Sequence, residues 1–368
     1  MYKILTILDY SDRRKDVAGL GKIRFDGQQG MLLHPTVAFD QQGVCLGVIN
    51  YKTWTREELK GRKLRQIVKA VEDKESIRWL ESYRATDQLA KKYPNKILIN
   101  IADREGDFYE LLQEYNKMEN KAHLIVRAKS NRVLDCHNNE NEKKLWERVQ
   151  NQPIVGKVKF DISDIDKKRK SRQVCQTIRT CEVSFSPPRK VRKLNSLRPI
   201  SINAVLCKEE NPPAGEQAVE WLLLTTLDIK SDQTKIFEVI KYYQLRWQIE
   251  LYFKVLKSGC NIEKLQLETK ERLENALAIY MIIAWRLLFV TYIGRFLPEL
   301  SCQIFYTESE WKAVYIIAYK KPPPDTPPSI SAMNKVVASF GGFLGRKGDG
   351  EPGIKAMWIG LQRLKDFT

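Results

Sequence analysis

KILINIADREGDFYELLQEY, residues 96–115, holds a strand, a carboxylate and a helix in that order. KILINIA is short, apolar and rich in isoleucine, which suits a buried strand. Residues 107–115 place apolar side chains at helical spacing. Asp103 falls between the two, directly after the strand. Carboxylates at strand ends of an α/β sheet face the edge where ligands bind. An aspartate there also serves as a turn residue or helix N-cap, so its meaning depends on what else reaches the same edge.

Outward from this unit the pattern repeats. Upstream, KILTIL (3–8), MLLHPTVAF (31–39) and VCLGVINY (44–51) read as three successive strands, antiparallel neighbours in one sheet. A helix over 75–92 follows, with Ile77, Leu80 and Tyr83 on one side. Downstream, AHLIVRA (122–128) is a fifth strand. Three strands, helix, strand, helix, strand is the order of a ribonuclease-H-like α/β core, a mixed sheet flanked by helices. In that order Asp9 closes the first strand as Asp103 closes the fourth.

The remainder divides by composition. From 155 to 226 short β-like runs alternate with charge and proline, a β-rich insertion. Helices are expected over 233–257 and 272–295. PPPDTPP (322–328) marks a rigid turn before a helical C-terminal unit. The expected domains are a first part of the core at 1–154, the basic β-rich insertion at 155–226, a core segment with the long helix at 227–300, and a helical C-terminal unit at 301–368.

Charge and chemistry narrow the function. Among 368 residues, 62 Lys and Arg against 45 Asp and Glu leave a net charge of +17, and such an excess attracts polyanions, nucleic acid first. Within 157–198 thirteen Lys or Arg face four Asp or Glu, concentrated in KKRKSR and PPRKVRK. That density suits a DNA-facing arm or a solvated basic loop. Seven cysteines without a CxxC pair argue against a disulfide framework or zinc ribbon and fit a cytoplasmic location. Three scattered histidines leave any catalytic metal to carboxylates. The apolar stretch 276–294, interrupted by Arg286, reads as a buried helix, and no membrane partner is expected.

The third carboxylate lies on the helix over 233–257. At about 100° per residue, Tyr243, Arg246, Glu250 and Lys257 fall near 0°, 300°, 340° and 320° and share a face, while Leu245, Ile249, Tyr252 and Leu256 form a separate apolar stripe. A salt-bridged surface helix would look similar. Cations bracketing a carboxylate also suit phosphate chemistry, the acid on a metal and Arg and Lys on phosphodiester oxygens. Asp9, Asp103 and Glu250 could hold two Mg²⁺, or Mn²⁺ in its place, roughly 3.5–4 Å apart for in-line displacement at phosphorus.

DREGDFYEL, the Y, two residues, R, three residues, E, six residues, K series at Tyr243, Arg246, Glu250 and Lys257, and GGFLGRKGDGEPGIKAMWIGLQRLKDF (341–367) together resemble the insertion-sequence-four family of bacterial transposases, of the transposon-five type. The resemblance covers nearly the whole chain. It implies a ribonuclease-H-like fold with a β insertion, Mg²⁺-dependent hydrolysis, a hairpin at the transposon end, strand transfer into target DNA, and a homodimer on double-stranded DNA. It assigns Asp9, Asp103 and Glu250 to the metal and Tyr243, Arg246 and Lys257 to the phosphate of the DNA end. Trp247 lies beside that face. Trp221, in EWLLLTT, matches the family's tryptophan that stacks on a flipped base; a buried strand aromatic is the alternative. Arg127, Lys129 and Arg132, in VRAKSNR, resemble a DNA-contacting segment, or are exposed charges after a strand. The family carries two threonines after its first aspartate, where this chain has Tyr10 and Ser11. Its end-recognition domain would precede Asp9 and is expected to be missing.

Three functions follow as expectations. One is a cut-and-paste transposase. A second is a catalytically silent partner that dimerises with a longer transposase and inhibits it. A third is a structure-specific nuclease unconnected with mobile elements.

Overall fold

The apolar runs of the first half form strands, and the computed structural model describes residues 1–3, 5–11, 17–23, 28–56, 74–118, 122–135, 143–162, 171–188 and 198–367. In chain order the strands are β1 (Tyr2–Lys3), β2 (Thr6–Asp9), β3 (Gly21–Lys22), β4 (Gln29–Phe39), β5 (Cys45–Trp54), β6 (Ile99–Ala102), β7 (His123–Arg127), β8 (Ile154–Ile162), β9 (Arg172–Phe185), β10 (Ile200–Glu209) and β11 (Glu220–Thr225). The helices are α1 (Ile77–Lys92), α2 (Tyr109–Lys117), α3 (Leu145–Gln150), α4 (Thr234–Gln244), α5 (Gln248–Lys254), α6 (Lys270–Phe296), α7 (Glu308–Tyr319), α8 (Ile330–Phe340) and α9 (Ile354–Phe367). The architecture is the mixed α/β class that the pattern of runs implies. KKRKSR, apart from Ser171 and Arg172, and PPRKVRK beyond Pro188 lie outside the described residues.

The chain divides into two compact units, Met1–Ile4 with Lys60–Arg246, and Leu5–Leu59 with Trp247–Thr368. In the first unit the strands run in the order β1-β6-β7-β11-β10-β9-β8. β1 and β6 pair in parallel, Tyr2 opposite Ile101, and β6 and β7 likewise, Ile99 opposite His123. From β7 onward each pairing is antiparallel, beginning with Val126 opposite Leu224. A parallel neighbour requires a crossover, and α2 supplies it between β6 and β7.

α1 packs Trp79, Leu80 and Tyr83 into a core shared with Leu124, Val126, Leu222 and Leu224. A fully buried side chain such as Leu80 stabilises by roughly 1.5–3 kcal/mol. The Tyr83 hydroxyl, buried with its ring, donates to the Ala122 carbonyl at 2.7 Å, so this core leaves no penalty for a stranded phenol.

In the second unit β4 is central, antiparallel to β2 with Thr6 opposite Leu33 and to β5 with Leu33 opposite Thr53. Gly30 is required there: a Cβ at that position would stand 2.2 Å from the Leu8 carbonyl oxygen, directly before Asp9. α6 packs against β5 and α8, and its Leu273, Leu277, Met281, Ala284, Leu287 and Leu288 are buried. By length and composition this helix could cross a membrane, but here that apolar face lines the interior of the second unit. α7 opens with a capping box, in which Thr307 and Glu310 each satisfy the other's main-chain N–H.

Two sequence expectations are corrected. KILTIL is two short strands, β1 beside β6 and β2 beside β4. The continuous helix expected over 233–257 is interrupted: α4 ends at Gln244, a 3₁₀ turn spans Leu245–Trp247, α5 follows, and a π turn occupies Val255–Gly259. A 3₁₀ turn advances about 120° per residue rather than 100°, so the constant 100° step used to place Tyr243, Arg246, Glu250 and Lys257 does not hold across Leu245–Trp247. Of the apolar stripe, Ile249, Tyr252 and Leu256 are fully buried and Leu245 only partly.

Candidate active site

Asp103 follows β6 and caps the 3₁₀ turn Arg104–Gly106, its Oδ1 accepting the Glu105 N–H at 2.9 Å. Gly106 makes that turn possible, because a Cβ there would come within 2.5 Å of the Ala102 Cβ. Burial raises the Asp103 pKa from its ordinary 3.8 and the Glu105 carboxylate adds to the rise, against the Glu105 N–H and the cations Arg246 and Arg78. Arg78 is itself buried, bonded to the Glu105 carboxylate at 2.8 Å and the Glu75 carbonyl at 2.7 Å.

The same unit gathers further candidates. Arg127, at the end of β7, donates to the Glu220 carbonyl at 3.0 Å. Burial lowers its pKa, bonding to Tyr243 opposes this, and Arg104 and Arg246 add to the depression. Asp103, Arg127, Tyr243 and Arg246 therefore share one electrostatic neighbourhood. Tyr243 is buried rather than presented on an open face, and its ring meets the edge of Trp221 at 5.4 Å. Trp221 also stacks on Phe160 at 5.3 Å and 23°.

Lys129 and Arg132 differ from each other. Asp107, its side chain fully buried, accepts the N–H groups of Lys129 at 2.7 Å and Ser130 at 2.9 Å and pairs with the Arg132 guanidinium at 2.6 Å. Arg132 also lies over the Phe185 ring. Lys129 is exposed on the loop that Asp107 shapes.

In the second unit, Asp9 closes β2. Its Oδ1 accepts the Ser11 N–H at 3.0 Å and the Ser11 hydroxyl at 2.6 Å, so Ser11 orients the carboxylate while Tyr10 is buried. The Asp9 N–H donates to Glu263 Oε1 at 2.9 Å. That oxygen pairs with Lys257 Nζ at 3.1 Å, and Nζ also donates to the Ile7 carbonyl. Asp9 and Lys257 are thus neighbours. Glu250 is half-buried on α5, and Trp247 is 45% exposed.

Asp103 belongs to the first unit and Asp9 and Glu250 to the second. Among the described residues no group of three or more His, Cys, Asp or Glu is gathered closely enough to hold a metal ion. Contact residues that escaped the sequence reading include Arg78, Glu105, Asp107, Phe160 and Glu263. Asp107 stands in the quoted DREGD motif, four residues after Asp103. Glu263 carried no local signal, being 254 residues from Asp9.

Residues 40–286 match the family model described as the transposase DDE domain, and residues 282–368 the one described as the transposase Tn5 dimerisation domain. Among solved structures the chain is similar to a piggyBac transposase in a cryo-EM synaptic complex with hairpin DNA, at 10% identity and a TM-score of 0.34, over 80% of this chain and 48% of that one. The chain spans about half the length of that transposase chain.

Proposed function

The chain belongs to the DDE transposases of the Tn5 type, and on that premise we propose that it cuts an insertion sequence out of DNA and joins it to a target, with Asp9, Asp103 and Glu250 as the metal-holding carboxylates. The observation that carries the reading is Asp103: a partly desolvated carboxylate at the end of a parallel strand, with Arg246 and Arg78 in its field. Desolvation beside cations is how a fold prepares an acid for a charged ligand.

The donor set fits a hard divalent cation, since all three side chains offer carboxylate oxygen, the ligand type that Mg²⁺ and Mn²⁺ prefer. When bound, such ions supply an activated water or 3′ hydroxyl and charge neutralisation at the leaving oxygen. The protein's own residues would do the rest. Arg246 and Lys257 hold phosphodiester oxygens of the DNA end, with Tyr243 and Arg127 fixing the ground beside Arg246. Trp221 offers a ring on which an extruded base stacks, recovering part of the few kcal/mol that flipping costs; it would exchange its contact with Phe160 for the base. Lys129, exposed on its loop, and Trp247 extend the DNA-facing surface, while Arg132 serves by holding that loop.

The protein would act as a dimer on DNA. Residues 282–368 match a dimerisation domain, and α7 within them exposes Ile316, Ile317 and Tyr319, apolar area that a second copy can cover.

The test is single-turnover cleavage of a duplex carrying the genomic sequence that flanks the reading frame, with Mg²⁺ titrated from zero. Asp9→Ala, Asp103→Ala and Glu250→Ala should each slow cutting roughly a thousandfold, the equivalent of several kcal/mol of lost charge stabilisation. Tight DNA binding with no metal-dependent cutting by the wild-type chain would favour the silent, inhibitory partner. Cutting of branched DNA regardless of terminal sequence would favour the structure-specific nuclease.

A further inference from the structure

We propose that Glu263 is a positioning residue of the cutting reaction, tying the Lys257 ammonium to the main chain at Asp9. This rests on the roles given above to Asp9 and Lys257. Glu263 lies in the 3₁₀ turn Ile262–Lys264, which Asn261, in the left-handed conformation at φ 54°, turns back toward β2. A single oxygen, Oε1, accepts the Asp9 N–H at 2.9 Å and pairs with Lys257 Nζ at 3.1 Å. Nζ has a second anchor in the Ile7 carbonyl. Two of the three ammonium donors are thereby fixed, which aims the remaining one.

The arrangement has little to offer stability. Both partners are 28% exposed, and ion pairs this open to water contribute little to folding. What it does supply is location. Lysine is a point charge on a long flexible stem, and Lys257 lies within a π turn instead of regular helix, so its ammonium needs an external tether. Glu263 provides one, and the same oxygen takes the Asp9 N–H at the strand end. A phosphate held by Lys257 is then brought beside Asp9.

The test compares wild type with Glu263→Ala, Glu263→Gln, Lys257→Ala and the Glu263→Ala, Lys257→Ala double variant. Two quantities are read: the cutting rate in Mg²⁺, and binding of end DNA in EDTA across a salt series. Glu263→Ala should slow cutting by about 10- to 100-fold, the usual effect of losing a group that orients a ligand. It should also weaken metal-free binding, with the salt slope falling by about 0.9 as for one lost phosphate contact. Glu263→Gln keeps an oxygen acceptor and should restore most of both. The double variant should be no slower than Lys257→Ala, because Glu263 acts through that lysine. Tighter metal-free binding by Glu263→Ala would overturn the proposal, since the glutamate would then be competing with phosphate. Wild-type behaviour of Glu263→Ala beside a crippled Lys257→Ala would overturn it alone. Wild-type behaviour of Lys257→Ala would overturn the assigned role of the lysine and the proposal with it. Should Glu263→Ala fail to fold, Glu263→Gln decides: cutting and salt slope as low as in Lys257→Ala would contradict a role that rests on the acceptor oxygen.

Discussion

Asp103 holds its charge at a cost. Its carboxyl is partly buried, and the net effect of burial, the Glu105 N–H and nearby charges is a pKa above the ordinary 3.8. The folded protein therefore binds that proton more tightly than the unfolded chain does. The stability this contributes is fully present below the unfolded value and is lost as pH rises through the folded pKa. At neutral pH the folded state carries the full penalty of a partly desolvated anion. Asp103→Asn removes the charge, and its amide oxygen can still accept the Glu105 N–H, so the variant should melt higher than wild type at pH 7. The gap should close as pH falls toward 4. Melting by circular dichroism at both pH values checks this, and an Asn variant less stable than wild type at pH 7 would refute it. On the proposed function the same substitution should abolish cutting, which would make Asp103 a site where stability is given up for chemistry. Asp107, four residues on, shows the opposite balance: its buried carboxylate is matched by two N–H groups and a guanidinium, as a buried charge requires.

The turn between β6 and α2 is the element that delivers Asp103, and its tolerance is narrow. In Gly106→Ala the new methyl group would meet the Ala102 Cβ at 2.5 Å, forcing the turn away from the strand end, at a cost of about 1–3 kcal/mol. Ala102→Gly in the same chain removes the obstruction and should return part of the loss. Urea melts of the single and double variants measure both, and a single variant as stable as wild type would show that the turn gives way freely. Elements of this kind were partly legible beforehand. The strands at 31–39 and 44–51 and the helix at 75–92 announce themselves through apolar runs and helical spacing, and their counterparts β4, β5 and α1 lie where those signals are. The interruption at Leu245–Trp247 was not legible, because QLRWQIE contains no glycine or proline to break a helix and its apolar spacing suits either geometry. KILTIL likewise looks like one strand, since nothing local divides it between two partners. At the candidate site, Asp9 and Asp103 were visible as acids at strand ends. Glu263 was not, because its contact with Asp9 is a product of tertiary folding.

For the molecule as a whole, the decisive quantity is its charge of +17, and under the proposed function the question is which of the cations would grip DNA. In the first unit Arg78 and Arg132 are bound to carboxylates of the protein itself, so each would be partly spent before DNA arrived. Lys167, Lys168, Arg169 and Lys170 form the densest run of positive charge in the sequence, and as a DNA arm they would contribute affinity without sequence information, since phosphate contacts position and base contacts specify. Replacing all four by Gln should therefore weaken binding to transposon-end and unrelated duplexes alike. The log of the affinity falls linearly with the log of salt concentration by about 0.9 for each phosphate contact, so the slope should flatten by up to ~3.6 if all four touch the backbone. Fluorescence anisotropy on both duplexes, across a salt series, reads the slope directly. An unchanged slope would move the grip to other cations and reduce the run to a solvating loop. A loss confined to the end duplex would instead give these residues a part in recognising the sequence.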